Sequence, residues 1–448
     1  MSGSCGGHYV ETVKSSRNEY RIGPGGAWSG DISVPGDKSI SHRALMLGAV
    51  ADGESLIRGL LSGDDCLATA AALRRMGVRI RHLGDSEWTV GGVGLRGLQA
   101  PDGPLDLGNS GTGMRLLTGL LAAQSFGTVL VGDESLMQRP MSRVEKPLNA
   151  MGALIETESG RPPIRITGGR TLRAIDYPMP VASAQVKSAI LLAALYAEGT
   201  TSITEPGVSR DHTERMLRAF GVKVEVEGRR VRLSPPDRLG AMRIDVPGDF
   251  SSAAFFIVGA CVGATGPVKI RNVGINPTRT GLLTILEAMG ARIRIERKGI
   301  DPAEPVADIL AERSELTGIE VPPALVPNAI DEFPALCIAA AAAHGDTVIS
   351  DAAELRVKES DRLSAMAKGL GSLGIACTES PDGLTVTGGN FTGGVVESFG
   401  DHRIAMAFAV AGHIAKGPVI VRGTRNVTTS FPGFVDKMRS LGANIEEG

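Results

Sequence analysis

Net charge is nearly absent from this sequence: 47 Lys plus Arg face 49 Asp plus Glu, a formal balance of −2 over 448 residues. That excludes a global basic field for nucleic acid or an anionic membrane, so any anion site must be built locally. Cysteine is scarce too. Cys5, Cys66, Cys261, Cys337 and Cys377 form no Cys-x-x-Cys pair and are odd in number, which disfavours a disulfide framework and a structural zinc site and fits a reducing compartment. Long hydrophobic runs are missing. The apolar segments near 188–197, 253–264 and 335–343 fall short of the ~20 residues that span a bilayer. The first 27 residues contain no apolar stretch of the ~7 to 15 residues a secretory signal needs. They read as a mostly disordered lead-in, and the protein as cytoplasmic. Aromatics are only 4% against 59 glycines, which suits many tight turns and helices packed through small residues.

The chain does have repetition, and 42% hydrophobic content to build cores. A bulky apolar residue, a glycine and a short run to an aliphatic residue or Cys recur at Met76, Met151, Phe220, Met289, Leu373 and Leu441, in steps of 75, 69, 69, 84 and 68 residues. In each copy a helical pattern runs into the glycine, a helix stop, and strand-like alternation such as KVEVEG follows. A second motif keeps step with the first: an acidic, Ser- or Gly-rich turn and then an apolar helix. It begins at Gly36, Gly108, Ala182, Gly248, Ile330 and Gly400. Those helices are apolar nearly all round and read as core helices with polar starts. VPGDKS at Val34 and VPGDFS at Val246 are close copies 212 residues apart, which implies two lobes of three units, with VPGD marking the two crossings between them.

A helix start carries free N–H groups and partial positive charge, so it favours phosphate and carboxylate. Cationic side chains stand in the same turns: Lys38 and Arg43 at the first, Arg115 at the second, Lys187 at the third, Arg403 at the sixth. Arg139, Arg210, Lys358 and Arg362 lie in loops of these units. If the starts face one cleft, the ligands are small and multiply anionic. Two carboxylates stand in the same cluster, Asp331 at the fifth start and Glu359 beside Lys358, the arrangement expected for general acid and base work or for structural ion pairs. Nucleophilic catalysis has little support, since no Gly-x-Ser-x-Gly is present and His42 and His402 lack a Ser partner at a recognised spacing. His212 reads as holding a helix start. GVGLRG at Gly92 fits the dinucleotide pattern, but LQAPDGP after it cannot open a helix. No P-loop or metal-ligand cluster is visible.

In chain order, PGDKSISHRALMLGA, LGNSGTGMRLL, QRPM, SAQVKSA, SRDHTE, IDEFP, ELRVKESDR, DHRIAMAF and SFPGF closely resemble the motifs of the 5-enolpyruvylshikimate-3-phosphate synthases, over about residues 28–446. The resemblance implies an α/β fold: a two-lobed inside-out α/β barrel of six βαβαββ repeats, three per lobe. Residues 37–246 would form the lobe with the shikimate 3-phosphate site. Residues 28–36 plus 247–448 would form the lobe carrying Asp331, Glu359, Arg362 and Arg403. It implies transfer of the enolpyruvyl group of phosphoenolpyruvate to the 5-hydroxyl of shikimate 3-phosphate, with release of phosphate, by addition and elimination through a tetrahedral intermediate. A monomer needing neither metal nor organic cofactor is implied as well. Carried over by motif, Lys38, Ser39, Arg43, Ser183, Ala184, Gln185, Arg210, Asp331 and Lys358 would hold shikimate 3-phosphate. Lys38, Gly111, Arg139, Gln185, Arg362 and Arg403 would hold phosphoenolpyruvate. Asp331 would take the 5-hydroxyl proton, Glu359 would serve the methylene carbon as acid and then base, and Lys38 would stabilise the departing phosphate.

Three positions depart from the family pattern. Thr429 stands where many members have Lys, the shikimate motif reads Ser-Ala-Gln, and Leu116 replaces a common Pro. These choices resemble the class II branch. Gly111 leaves room for the inhibitor glyphosate in the phosphoenolpyruvate site, where an added methyl would project. Two alternatives stay open on the residues alone. UDP-N-acetylglucosamine enolpyruvyl transferases share fold and donor but usually carry Asn after the first lysine and a Cys in the loop that here reads DESLMQRPM. A non-catalytic anion binder on the same scaffold is the other.

Overall fold

A computed structural model describes residues 18–297 and 304–448. The six polar turns each open a core helix: Lys38–Ala49, Gly111–Leu121, Ala184–Ala194, Phe250–Gly263, Phe333–Ala342 and His402–Ile414. Each unit adds a second, more amphipathic helix: Asp64–Arg75, Ser142–Ala150, His212–Ala219, Gly281–Ala288, Arg362–Ser372 and Phe434–Ser440. These six stop just before Gly77, Gly152, Gly221, Gly290, Gly374 and Gly442, at φ of 88°, 99°, 86°, 95°, 80° and 98°. Glycine enters that left-handed region without a Cβ penalty, so the recurring glycine of the sequence is a helix stop in every copy.

Among the described residues six separate sheets surround the helices. The second unit shows the βαβαββ order in full: Leu105–Asp106, the core helix, Thr128–Val131, the helix Ser142–Ala150, then Leu154–Glu158 and Arg161–Thr167. In its sheet the first two strands are parallel and the rest antiparallel. Buried side chains fall into two clusters, one drawn from residues 40–246 and one from 20–34 together with 250–445. Within the second cluster the helices Phe250–Gly263, Phe333–Ala342 and His402–Ile414 pack on one another, helices inside and sheets outside.

The chain crosses between the clusters twice, at the two VPGD copies. Strand Gly30–Ser33 runs parallel to Val268–Gly274 in the second lobe, and the chain then enters the first lobe at Asp37. Strand Arg243–Asp245 runs parallel to Asp52–Arg58 in the first lobe, and the chain then returns at Asp249. The crossings lie side by side, bridged between Gly36 and Gly248.

One expectation needs correction. Residues 1–27 were expected to be a disordered lead-in, but Glu19–Ile22 is a strand inside the last sheet, between Val419–Arg422 and Ile445–Glu447. The N-terminal segment takes the central place in this sheet, the place Arg161–Thr167 takes in the second unit's sheet, with Tyr20 and Ile22 buried. The signal was the short alternation in EYRI, too brief to stand out beside the glycines. Trp28, next to this strand, is fully buried against Phe256 and His413. Residues 1–17 lie outside the described residues. Ile22→Ala is expected to lower stability by about 2–5 kcal/mol, whereas Arg21→Ala on the exposed face should stay within about 0.5 kcal/mol. The shift in the urea unfolding midpoint of each variant checks this.

Candidate active site

Five of the six core-helix starts are capped by a side chain of their own turn; the fifth, Phe333–Ala342, is not. Asp37 accepts the Ile40 N–H at 2.9 Å, Ser110 the Gly113 N–H at 3.0 Å, and Ser183 the Val186 N–H at 3.4 Å. In the other lobe Asp249 accepts the Ser252 N–H at 3.0 Å and Asp401 the Arg403 N–H at 2.9 Å. Such caps hold the first turn in place, so the residues beside them face the cleft between the lobes. There they enclose a cavity of about 310 Å³.

From the first lobe, Lys38, Ser39, Gly111, Arg139, Ser183, Ala184, Gln185 and Arg210 line it; from the second, Asp331, Lys358, Glu359 and Arg403. The lobes touch through these groups. Arg210 lies 2.7 Å from Asp331 and Arg139 lies 3.4 Å from Glu359, both pairs joining one lobe to the other. Nearer the mouth, Arg143 holds Glu354 at 2.9 Å. Lys38 pairs with Asp65. The cleft is therefore closed, with Lys38, Asp331 and Glu359 on one wall system.

Two expected contacts sit elsewhere. Arg43 is buried behind the wall, where it donates to Thr213 at 2.6 Å, the Ser39 carbonyl at 2.8 Å and Ser188 at 2.7 Å. Arg362 is 1% exposed and divided among Asp401 at 2.8 Å, Asp331 at 3.4 Å and Glu359. Neither is on the cavity wall. Both read as cations in the sequence, and nothing local separates a side chain that faces a cavity from one that braces its neighbours. Leu116 is fully buried in its helix. Thr429 is 8% exposed and donates its hydroxyl to the Asn426 carbonyl at 2.7 Å, while its neighbour Ser430 lines the cavity. Sequence reading placed Arg115 among the helix-start cations without assigning it a ligand, and left Asp65, Arg143, Glu354, Arg279 and His402 without a place on the wall. Arg115 stands one helical turn after Gly111; it donates to Gln185 at 2.6 Å, and Gln185 donates to Thr112 at 2.9 Å. Arg279 lies just before Thr280, the N-cap of helix Gly281–Ala288, in a turn outside the six repeated polar helix starts. His212 bonds Glu304 across the lobes at 2.6 Å.

Burial by itself would raise the Asp331 carboxyl, but Arg210, Lys358, Arg403 and Arg362 hold it well below the usual carboxylate range. Glu359 meets the same opposition: burial raises it, while Arg362 and Arg139 hold it well below. His402 is pushed down to about 3, by burial first and then by Lys38, and stays neutral. Arg115 is lowered to about 10 by burial and Arg139, and still carries its charge at neutral pH. The cavity wall thus holds Asp331 and Glu359 ionised among eight Lys and Arg side chains, which outnumber the six wall carboxylates.

The EPSP synthase (3-phosphoshikimate 1-carboxyvinyltransferase) family profile matches residues 22–438. The chain belongs to the EPSP synthase family. It is 56% identical over 428 residues to a 3-phosphoshikimate 1-carboxyvinyltransferase of Methylococcus capsulatus, covering 95% of this chain and 98% of that one. It is 58% identical over 434 residues to one of Xanthomonas campestris, covering 97% and 99%. A solved EPSP synthase structure from Acinetobacter baumannii superposes with a TM-score of 0.86 at 52% identity, covering 96% of this chain and 99% of that one. These matches favour the EPSP synthases over the UDP-N-acetylglucosamine enzymes as relatives. Among the described residues no helix is long and apolar enough to cross a membrane, and no group of three or more His, Cys, Asp or Glu could hold a metal ion.

For an EPSP synthase with this cleft, the depressed carboxylates have a measurable consequence. Folded-state values below the unfolded ones, near 3.8 for Asp and 4.5 for Glu, mean that the stabilisation is present above about pH 4.5 and is lost as pH falls below it. Stability of the unliganded chain should therefore drop between about pH 5 and 3, and Glu359→Gln should flatten that drop. Urea unfolding midpoints across the pH series read it, and an unchanged slope in Glu359→Gln counts against the assignment.

Proposed function

We propose that the chain transfers the enolpyruvyl group of phosphoenolpyruvate to the 5-hydroxyl of shikimate 3-phosphate and releases phosphate. The observation that carries this reading is the closed cleft in which Lys38 of one lobe and Asp331 and Glu359 of the other line one cation-rich cavity. Ser39, Ser183, Ala184, Gln185, Arg210 and Lys358 are suited to a hydroxylated, phosphorylated ring, and Arg139, Arg403, Lys38 and the turn at Gly111 to a small carboxylated phosphate. Arginine forks onto such oxygens in pairs. Arg43 acts from behind, holding the Ser39 backbone and the Ser188 hydroxyl. Arg362 acts from beneath Asp331 and Glu359. Ser430, whose hydroxyl is buried on the wall and has no partner among the described residues, stands in for the missing lysine beside Thr429.

Asp331, ionised at rest, accepts the proton of the 5-hydroxyl as its oxygen attacks the central carbon of phosphoenolpyruvate. Glu359 gives a proton to the methylene carbon, which completes the tetrahedral intermediate. Phosphate then leaves beside Lys38, and Glu359 takes a proton back from the methyl group. Glu359 must be protonated to begin. The cluster keeps it ionised, and two bound polyanions, by satisfying Arg139 and Lys38, weaken the positive field that, with Arg362 beneath, holds it down. Substrate binding therefore arms the acid, and full closure makes the field strong by excluding water. One chain supplies every group of the cavity, which supports action as a monomer. The free thiols Cys66, Cys261 and Cys337, all buried, suit a reducing cytoplasm.

Mixing the chain with both substrates should release phosphate, and omitting either should abolish release. Glu359→Gln should lower kcat by roughly 100-fold or more, the scale of lost acid–base catalysis, with shikimate 3-phosphate affinity kept within about threefold by calorimetry. Equal loss of both would give Glu359 a structural role. At Gly111 an added Cβ would meet Arg139 Nη1 at 3.0 Å and Arg115 Nη1 at 3.2 Å, both ends of flexible side chains. Gly111→Ala should therefore fold normally and lose glyphosate inhibition by a larger factor than it raises the phosphoenolpyruvate KM. An inhibition constant that stays in step with that KM would sink this reading of the turn.

A further inference from the structure

The turn Asn276 to Arg279, between strand Val268–Gly274 and helix Gly281–Ala288, reaches from the second lobe into the first. Asn276 donates to Asp211 at 2.7 Å and to Glu304 at 3.1 Å, and Thr278 donates to Asp211 at 3.2 Å. Asp211 adjoins Arg210, the partner of Asp331. Arg279 makes the more consequential set of bonds. It is 2% exposed, and one arm donates to Asp37, the cap of the first core helix and the neighbour of Lys38. The other arm donates to Asp249 at 3.0 Å and Ser251 at 2.8 Å, and lies 3.8 Å from Glu332, the neighbour of Asp331. One guanidinium thus binds both VPGD aspartates and the start of the fifth core helix.

We propose that Arg279 is a positioning residue for the transfer reaction: through Asp37 and Glu332 it fixes Lys38 of one lobe against Asp331 of the other. The proposal rests on the transferase reading above. Lys38 and Asp331 each follow or precede a group that Arg279 grips, and they belong to different rigid bodies, so their alignment depends on whatever ties those bodies at the crossings. A planar fork of five donors can serve three carboxylates and a hydroxyl from fixed directions, which an ammonium on a flexible stem cannot. Misplacement of reacting groups by about 1 Å costs on the order of 100-fold in rate without any lost substrate contact.

The test uses the full chain with Arg279→Lys, which keeps the buried charge and loses the fork, and Asp37→Asn, which keeps the helix cap and loses the charged partner. Turnover is measured per folded molecule, alongside equilibrium binding of shikimate 3-phosphate. Arg279→Lys should lower kcat roughly 30- to 100-fold and Asp37→Asn by about tenfold, each with shikimate 3-phosphate affinity within about threefold of the parent. A kcat within about twofold of the parent overturns the proposal, and so does a matching fall in kcat and affinity, the mark of a structural role alone. If Arg279→Lys does not fold, Asp37→Asn decides by the same criteria. A parent chain that releases no phosphate defeats the transferase reading itself, a result distinct from an active parent with active variants.

Discussion

Five of the six core-helix starts are satisfied by a short side chain of their own turn, and this local constraint underlies the cleft. A helix start left bare would demand partners from whatever lay across from it. Here short side chains, Asp37, Ser110, Ser183, Asp249 and Asp401, take the first-turn N–H groups. The neighbouring Lys, Ser, Gln and Arg are thereby left to face the opposite lobe. The core helices behind them are apolar nearly all round, so each lobe packs three of them inside its sheets and presents their polar ends at one surface. Two such surfaces closing on each other make a cavity that is polar by construction although the chain as a whole is nearly neutral.

Closure then becomes an electrostatic matter. The lobes meet through Arg210–Asp331, Arg139–Glu359 and Arg143–Glu354, and the almost fully buried Arg362 and Arg279 each serve several carboxylates. Burial of charge is costly unless partners are close and well aligned, so these networks specify one relative placement of the lobes more than they add stability. The same cations hold Asp331 and Glu359 ionised. Arg43 and Arg362 stand behind the cavity wall, while Arg279, almost fully buried, reaches it.

Much of this was legible beforehand. The six glycine stops, the six polar turns and the two VPGD crossings are local features, and local features repeat visibly. Lys38, Arg139, Gln185, Arg210, Asp331, Lys358, Glu359 and Arg403 stand on the cavity wall as their motifs indicated. The features that were not legible share a cause. Strand Glu19–Ile22 has its partners some 400 residues away, at Arg422 and Glu447, and four residues of alternation cannot announce that. Arg43 and Arg362 carry the right charge and stand in the right turns, yet side-chain direction depends on what packs against them. Arg279 lies in a turn whose only sign of importance is the set of distant acids around it.

By itself, then, the sequence determined the units, their helix starts and stops, the division into two lobes and the chemical character of the cleft, because those follow from propensities and periodicities within about twenty residues. Tertiary structure alone decided which cations face the cavity and which brace it from behind, that the N-terminal strand completes the last sheet, and that one arginine grips both crossings. Each of these is a pairing between residues far apart in the chain, made when buried charges and open strand edges must find partners, and that requirement leaves no local trace.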